Sequence, residues 1–349
     1  MGKPLPPVSL SSAPEFPADR LQRPLRDLRV SVTDRCNFRC TYCMPREVFG
    51  AGYEFLHRRD LLTFEEISRL AALFASLGTR KIRLTGGEPL LRKNLDDLIR
   101  RLRHAAPETE LTLTTNGSLL HRQADALRAA GLHRITVSLD ALEESVFQQM
   151  NDAGFTARQV IEGIGAAESA GFSSIKINCV IRRGVNENAI PDLVRHFSGT
   201  GHVLRFIEYM DVGSTNGWRL DDVVPAREMA ARVEALEGAL TPLPPTHEGE
   251  VARRYQTPGG GEIGIIASVT RPFCRSCNRA RLSSDGRLFT CLFGTSGHDL
   301  RAPLRDGASD AELHKIIAGI WTRRDDQYSE NRAAGLPRSG KVEMSAIGG

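Results

Sequence analysis

Six of the seven cysteines in this 349-residue chain fall into two tight groups. Cys36, Cys40 and Cys43, in TDRCNFRCTYC, have C-x3-C-x2-C spacing. Three thiolates on one short loop can each take one iron of a four-iron cluster, leaving the fourth iron without a protein ligand. An open coordination position is what a metal site needs to bind and activate a small molecule. Cys274, Cys277 and Cys291 form a second set, C-x2-C-x13-C, again with three ligands and not four. The competing reading of either set is zinc, with His57 or His298 as fourth ligand. The first spacing is not that of a zinc finger, and the second lacks the further C-x2-C pair of a zinc ribbon. A chain of this length with no export signal favours metal or redox ligation over disulfides. Cys179, alone in the apolar run IKINCVI, reads as a small buried hydrophobe.

Other polar signatures accompany these sets. TGGEP (85–89) carries two glycines where a backbone can approach a ligand closely. CNRARL places Arg279 and Arg281 two apart, on one side of a strand-like segment. Two guanidiniums beside a cluster suit a polyphosphate, because arginine makes planar, charge-assisted contacts with phosphate oxygens.

The elements that must position these residues alternate. Strand-like runs at 28–33, 81–85, 110–115, 134–140, 174–181 and 202–210 are separated by helical patterns at 64–78, 95–104, 118–131, 143–171 and 190–197. Six βα-like units in succession predict a mostly parallel α/β sheet covered by helices. Periodicity leaves a barrel and a doubly wound sheet both open. In either arrangement ligands gather at the C-terminal ends of the strands, where TDRCNFRC, TGGEP, TTNGS, SLD and EYMD all fall. After Asp211 the alternation stops. A helix over 225–236, a break at 241–250 and a helix near 311–321 predict a smaller mixed extension. The domain reading is a flexible tail over 1–22, a barrel-like domain over 23–238 and a C-terminal domain over 239–349.

Composition narrows the partners. The net charge of +4, from 46 basic and 42 acidic side chains, favours small anions but is too small for a nucleic-acid surface. No apolar run is long enough to span a membrane, and the Pro/Ser-rich start lacks a secretory pattern, so the cytoplasm is the expected location.

The cysteine loop, TGGEP and the second cysteine set with NRAR together resemble the radical S-adenosylmethionine (SAM) enzymes, and within them the GTP 3′,8-cyclase family that begins molybdenum cofactor biosynthesis. The resemblance runs from about Arg26 to Gly349. It implies an incomplete (βα)6 TIM-like barrel of the radical SAM type with a smaller C-terminal α+β extension. It implies two [4Fe-4S] clusters as cofactors: the first cleaves SAM to a 5′-deoxyadenosyl radical, and the second binds the guanine of GTP. Tyr42, Gly87, Ser138 and Met210 match SAM-contact positions. Arg29, Arg83, Thr114, Lys176, Arg279, Ala280 and Arg281 match GTP-contact positions. Arg29, Arg279, Arg281 and the terminal Gly348 and Gly349 are the implied catalytic set. The implied partners are GTP, an electron donor and a downstream pterin-forming synthase that takes the product, with no nucleic acid and no membrane; whether the chain pairs as a homodimer stays open. A radical SAM peptide-modifying enzyme with an auxiliary cluster, or a zinc-dependent nucleic-acid-binding module, are the rival readings of the same cysteines.

Overall fold

Along the strands, apolar and polar residues alternate, and that alternation decides what each face of the sheet can do. The structure, a computed structural model, describes residues 16–333 and 340–348. Six parallel strands follow one another in chain order: β1 (Asp27–Ser31), β2 (Lys81–Thr85), β3 (Glu110–Thr115), β4 (Arg134–Ser138), β5 (Lys176–Ile181) and β6 (Val203–Glu208). The helices α1 (Phe64–Ser76), α2 (Leu95–Ala105), α3 (Leu120–Ala129), α4 (Glu144–Asn151), α5 (Ala157–Ser169), α6 (Ile190–Phe197) and α7 (Ala226–Glu237) intervene and cover the outer face. The helical stretch expected over 143–171 is two helices. Asp152 takes a left-handed conformation (φ 39°) that ends α4, and a capping box between Thr156 and Gln159 starts α5.

Leu28 and Val30, Ile82 and Leu84, Leu111 and Leu113, Val137, Ile177, Cys179 and Phe206 alternate onto the outer face, where all are buried in one core with the helices. Each such side chain contributes about 1.5–3 kcal/mol by leaving water. The helices answer in kind: α1, started by a Thr63/Glu66 capping box, turns Ile67, Leu70, Ala71 and Phe74 onto the sheet. The residues between them, Arg29, Arg83, Thr114, Thr136, Ser138, Asn178 and Arg205, face one cavity on the inner side. A filled barrel packs branched apolar side chains there. This one places charges and hydroxyls, so its interior is a binding cavity.

The C-terminal segment extends the same sheet. Its strands are β7 (Thr241–Leu243), β8 (Arg253–Gln256), β9 (Glu262–Ile266), β10 (Arg279–Leu282), β11 (Arg287–Phe289) and β12 (His298–Asp299). β9 joins the free edge of β6 and β10 the free edge of β1, both in parallel, giving the order β12-β11-β10-β1-β2-β3-β4-β5-β6-β9-β8-β7 among the described residues. Both edges of an open six-stranded sheet would otherwise present unpaired backbone groups. The helices α8 (Arg301–Arg305), α9 (Asp310–Thr322), α10 (Tyr328–Ala333) and α11 (Met344–Ile347) complete the chain. Within the expected tail, residues 1–15 lie outside the described residues, whereas 16–22 are fixed. Asp19 is buried, receives the backbone N–H groups of Leu21 and Arg23, and pairs with Arg23 and Arg324. Among the described residues no helix is long and apolar enough to cross a membrane.

Candidate functional site

All six cysteines of the two sets line one continuous cavity inside the strands. Cys36, Cys40 and Cys43 lie on the loop that leaves the C-terminal end of β1. Cys274 and Cys277 precede β10, and Cys291 follows β11. Because β10 runs parallel to β1, with Asp27 opposite Arg279, and β11 antiparallel to β10, the second set gathers at the opposite end of the strands from the first. Five residues of β1 separate the two ends, on the order of 15 Å at 3.3 Å per residue. The cavity thus has a cysteine set at each end.

The six thiols are free and partly buried. Burial pushes those of Cys36 and Cys291 up to about 12 and raises Cys40 and Cys43. Burial would raise Cys277 too, but the charges of Arg279 and Arg324 outweigh it and bring that thiol down to about 6. Thiols buried in this way ionise against a metal, whose charge outweighs the lost hydration. Neither His57 nor His298 lines the cavity with the cysteines. Among the described residues no three His, Cys, Asp or Glu side chains converge to hold a single ion. Three thiols without a fourth ligand at each end fit a polynuclear iron–sulfur cluster, whose irons are ligated separately.

Around the first set the loops lock together through backbone. Gly87 donates its N–H to the Thr33 carbonyl (2.8 Å), and Glu88 its N–H to that of Arg35 (2.8 Å). A Cβ on Gly87 would lie 2.2 Å from the Arg35 carbonyl oxygen, so only glycine lets the two loops touch. The Glu88 carboxylate accepts from Leu90 N–H, Thr115 Oγ1 and Asn116 N–H at 2.7–3.0 Å, tying the ends of β2 and β3. Burial nonetheless lifts it to about 7. Asn116 in turn donates to Asn37 in the cysteine loop (2.8 Å). Tyr42 donates its hydroxyl to Asp140 (2.8 Å), whose carboxyl burial lifts to about 6. Gly87, Ser138 and Met210 line the cavity beside Tyr42. Replacing Tyr42 with phenylalanine strips one donor from buried Asp140, a loss of about 1–3 kcal/mol. The expected result is a lower melting temperature at unchanged iron content. An unaltered melt would show that the bond carries no load.

Deeper in, arginines stand side by side. Arg29 is in register with Arg83 on β2 and with Arg281 on β10, and all three face the cavity with Arg279 and Arg205. Arg83 donates to Thr114 Oγ1 (2.8 Å) and Thr136 Oγ1 (3.1 Å). Burial, then the charges of Arg281 and Arg279, lower Arg29 well below its ordinary value; burial and neighbouring guanidiniums bring Arg281 and Arg205 down to about 10. Arg29, Arg83, Arg205 and Arg279 each keep a buried Nε with no hydrogen-bond partner among the described residues. Crowded like charges with unused donors are complementary to a multiply charged anion. Asp27, paired with Lys81, is the carboxylate closest in register.

Two of the expected contacts are not among the residues that line the cavity. Ala280 alternates to the other face of β10 and is buried in the outer core, so its side chain does not share the cavity with Arg279 and Arg281. Lys176 stands at the start of β5 on the same face as Asn178 and opposite Thr136, at the edge of the cavity lining. Burial, with Arg205, Arg134 and Arg83 nearby, brings its ammonium down to about 7. Gly348 has φ +76°, and a Cβ there would lie 2.3 Å from Thr85 Cγ2; its carbonyl accepts a hydrogen bond from Arg281. Gly349 lies outside the described residues. Asp140 is the last residue of the SLD signature, whereas Arg205 and Asn178, each on the polar phase of a strand whose other phase is apolar, are the lining residues that the motifs miss.

Among known families, residues 30–197 match the radical SAM superfamily and residues 202–330 the C-terminal region described as molybdenum cofactor synthesis C. A GTP 3′,8-cyclase of Acidothermus cellulolyticus is 52% identical over 357 aligned residues, covering 95% of this chain and 98% of that one. A GTP 3′,8-cyclase of Xanthomonas campestris is 51% identical over 341, covering 97% and 99%. The structure of Streptococcus suis SuiB bound to S-adenosylmethionine shares the fold, with a TM-score of 0.59 at 14% identity over 89% of this chain and 66% of that one.

Proposed function

The chain belongs to the GTP 3′,8-cyclase family of radical SAM enzymes, and from that premise we propose that its cavity converts GTP to 3′,8-cyclo-7,8-dihydro-GTP, the first step of molybdenum cofactor biosynthesis. One observation carries the reading: two three-cysteine sets at opposite ends of one cavity, with in-register arginines between them. Cys36, Cys40 and Cys43 would hold the first cluster, which with SAM would supply the radical chemistry at that end of the cavity.

The chain's own residues do the positioning. Gly87, Glu88 and Asn116 hold the Cys36–Cys43 loop, and Tyr42, Ser138 and Met210 form the wall on which SAM would rest. Cys274, Cys277 and Cys291 hold the second cluster, the proposed anchor for the guanine. Arg29, Arg83, Arg279 and Arg281 offer donors to the triphosphate, with Arg205 and Thr114 beside them. Fixing both ends of the nucleotide leaves the ribose between them, aligned for attack of C3′ on C8. Gly348 brings backbone and no side chain to the arginines. An electron donor must supply the reducing equivalents, and a pterin-forming synthase would consume the product.

Anaerobically reconstituted protein given SAM, GTP and dithionite should yield 5′-deoxyadenosine and a cyclised GTP isomer by mass spectrometry. Deoxyadenosine with no nucleotide product would overturn the substrate.

Lys176 adds a pH signature. With its value depressed to about 7, the free side chain is largely neutral at pH 8. A triphosphate nearby favours the ammonium, so binding at pH 8 takes up a proton, and at pH 6 this group takes up none. Calorimetry of GTP binding in two buffers of different ionisation enthalpy should show that uptake, and Lys176→Met should abolish it. Equal heats at pH 8 would contradict the placement of Lys176 near the phosphates.

A further inference from the structure

The loop that carries the second cysteine set is held by three buried charged residues, of which only Arg324 also lines the cavity. Asp19, Arg23 and Arg324 are 2%, 2% and 4% exposed. Asp19 Oδ2 accepts from Arg23 Nε (2.6 Å) and Arg324 Nη1 (3.0 Å), which binds the two guanidiniums to one carboxylate. Arg23 Nη1 donates to the carbonyl of Cys274 (2.6 Å). Arg324 Nη1 donates to the carbonyl of Cys277 (2.7 Å), and its Nε to that of Thr290 (3.0 Å), the residue before Cys291. The backbone at or next to every cysteine of the set therefore ends on one of two buried guanidiniums.

The two arginines come from opposite ends of the chain. Arg23 closes a turn in which Asp19 caps the N–H groups of Leu21 and Arg23. Arg324 follows α9, its guanidinium 4.6 Å from the ring centre of Trp321, and the Trp321 indole donates to the Arg23 carbonyl (3.0 Å). The loop itself has little internal order: Cys274–Ser276 is a single 3-10 turn. Charge-assisted bonds from a planar fork fix carbonyl directions as well as distances.

Resting on the reading that these cysteines hold a cluster, we propose that Asp19, Arg23 and Arg324 are positioning residues for it: they preset the three sulfurs so that the second cluster is retained and oriented toward its substrate. Outer-shell partners of metal ligands commonly alter affinity or activity by about 10- to 100-fold when removed, and that is the effect expected here.

The test uses the full chain, anaerobically reconstituted, as wild type, Arg324→Gln, Arg324→Lys and Arg20→Ala. Arg20, exposed and paired with Asp325, is the control. Iron is counted, and electron paramagnetic resonance of the reduced protein is titrated separately with SAM and with GTP. In Arg324→Gln the SAM-responsive signal should persist, while the GTP concentration that half-saturates the second response rises by about 10- to 100-fold or the response disappears with its iron. Arg20→Ala should match wild type. A folded Arg324→Gln whose iron and GTP titration equal those of wild type overturns the clamp. Should that variant not fold, Arg324→Lys decides in the same way: it keeps the charge against Asp19 but cannot span both carbonyls, so an unchanged GTP titration overturns the proposal there too. If wild type itself shows no GTP-responsive iron signal, the second cluster is refuted, and the clamp with it.

Discussion

A chain with Cys40 replaced by serine is expected to retain about half the iron of wild type and to release no 5′-deoxyadenosine from SAM. Cys277→Ser should lose the other half, still release deoxyadenosine, and give no cyclised nucleotide. The asymmetry follows from the geometry. The two sets stand at opposite ends of the strands, on separate loops, with separate supports: Gly87, Glu88 and Asn116 for the first, Arg23 and Arg324 for the second. Removing one thiolate from a three-thiolate site leaves two ligands, which cannot hold a cubane with one iron already open. Residues that act as a unit lose nearly everything when one is removed. Iron analysis with mass spectrometry of both products checks both halves. Full iron in either variant would show that its cysteine is not a ligand, and cyclisation by Cys277→Ser would remove the second set from the reaction.

Arg281→Ala is expected to lower GTP cyclisation by about 10²- to 10³-fold, roughly 2.7–4 kcal/mol of barrier, while SAM cleavage continues. Arg281 is 3% exposed, in register with Arg29, and hydrogen-bonded to the Gly348 carbonyl. Its loss would take a charge from the anion site and release the terminal segment from the cavity together. Arg281→Lys restores the charge without the fork and should recover only part of the activity. Lys93→Ala, at an exposed residue outside the cavity lining, should leave both products at wild-type levels. Cyclisation by Arg281→Ala at more than a tenth of the wild-type rate would argue that the other arginines hold the triphosphate without it. Measuring both products in one assay separates this loss from general damage: a misfolded protein would make neither.

Much of this site was legible in one dimension. C-x3-C-x2-C and C-x2-C-x13-C each place three soft ligands within a loop's reach, and ligand chemistry depends on residue type and local spacing. The six βα units were readable because helix and strand periods differ and because Gly78 and Gly131, both with positive φ, punctuate them. The split of the 143–171 region was less legible, since the capping signal at Thr156 lies within one continuous amphipathic pattern. The inner-face polar residues carry a weaker mark in the sequence. Arg205 and Asn178 sit in runs such as HVLRFIEYM and IKINCVI, where a polar residue on an otherwise apolar strand is the mark of a lined cavity.

Tertiary structure alone decided the rest. That β10 pairs with β1, so that Arg281, Arg29 and Arg83 come abreast, depends on a contact between residues some 250 positions apart, about which local pattern says nothing. The same pairing sends the second cysteine set to the N-terminal end of the strands, away from where the ligands of parallel sheets usually gather. Ala280, between two cavity arginines in sequence, turns into the outer core because successive strand residues face opposite ways. Asp19, in a segment that reads as tail, becomes the buried partner of Arg23 and Arg324 because the turn it caps meets the end of α9. The sequence by itself determined which ligands and charges this protein owns and on which elements they ride. Only the folded sheet, whose edges had to find partners, determined which of them face one another across the cavity.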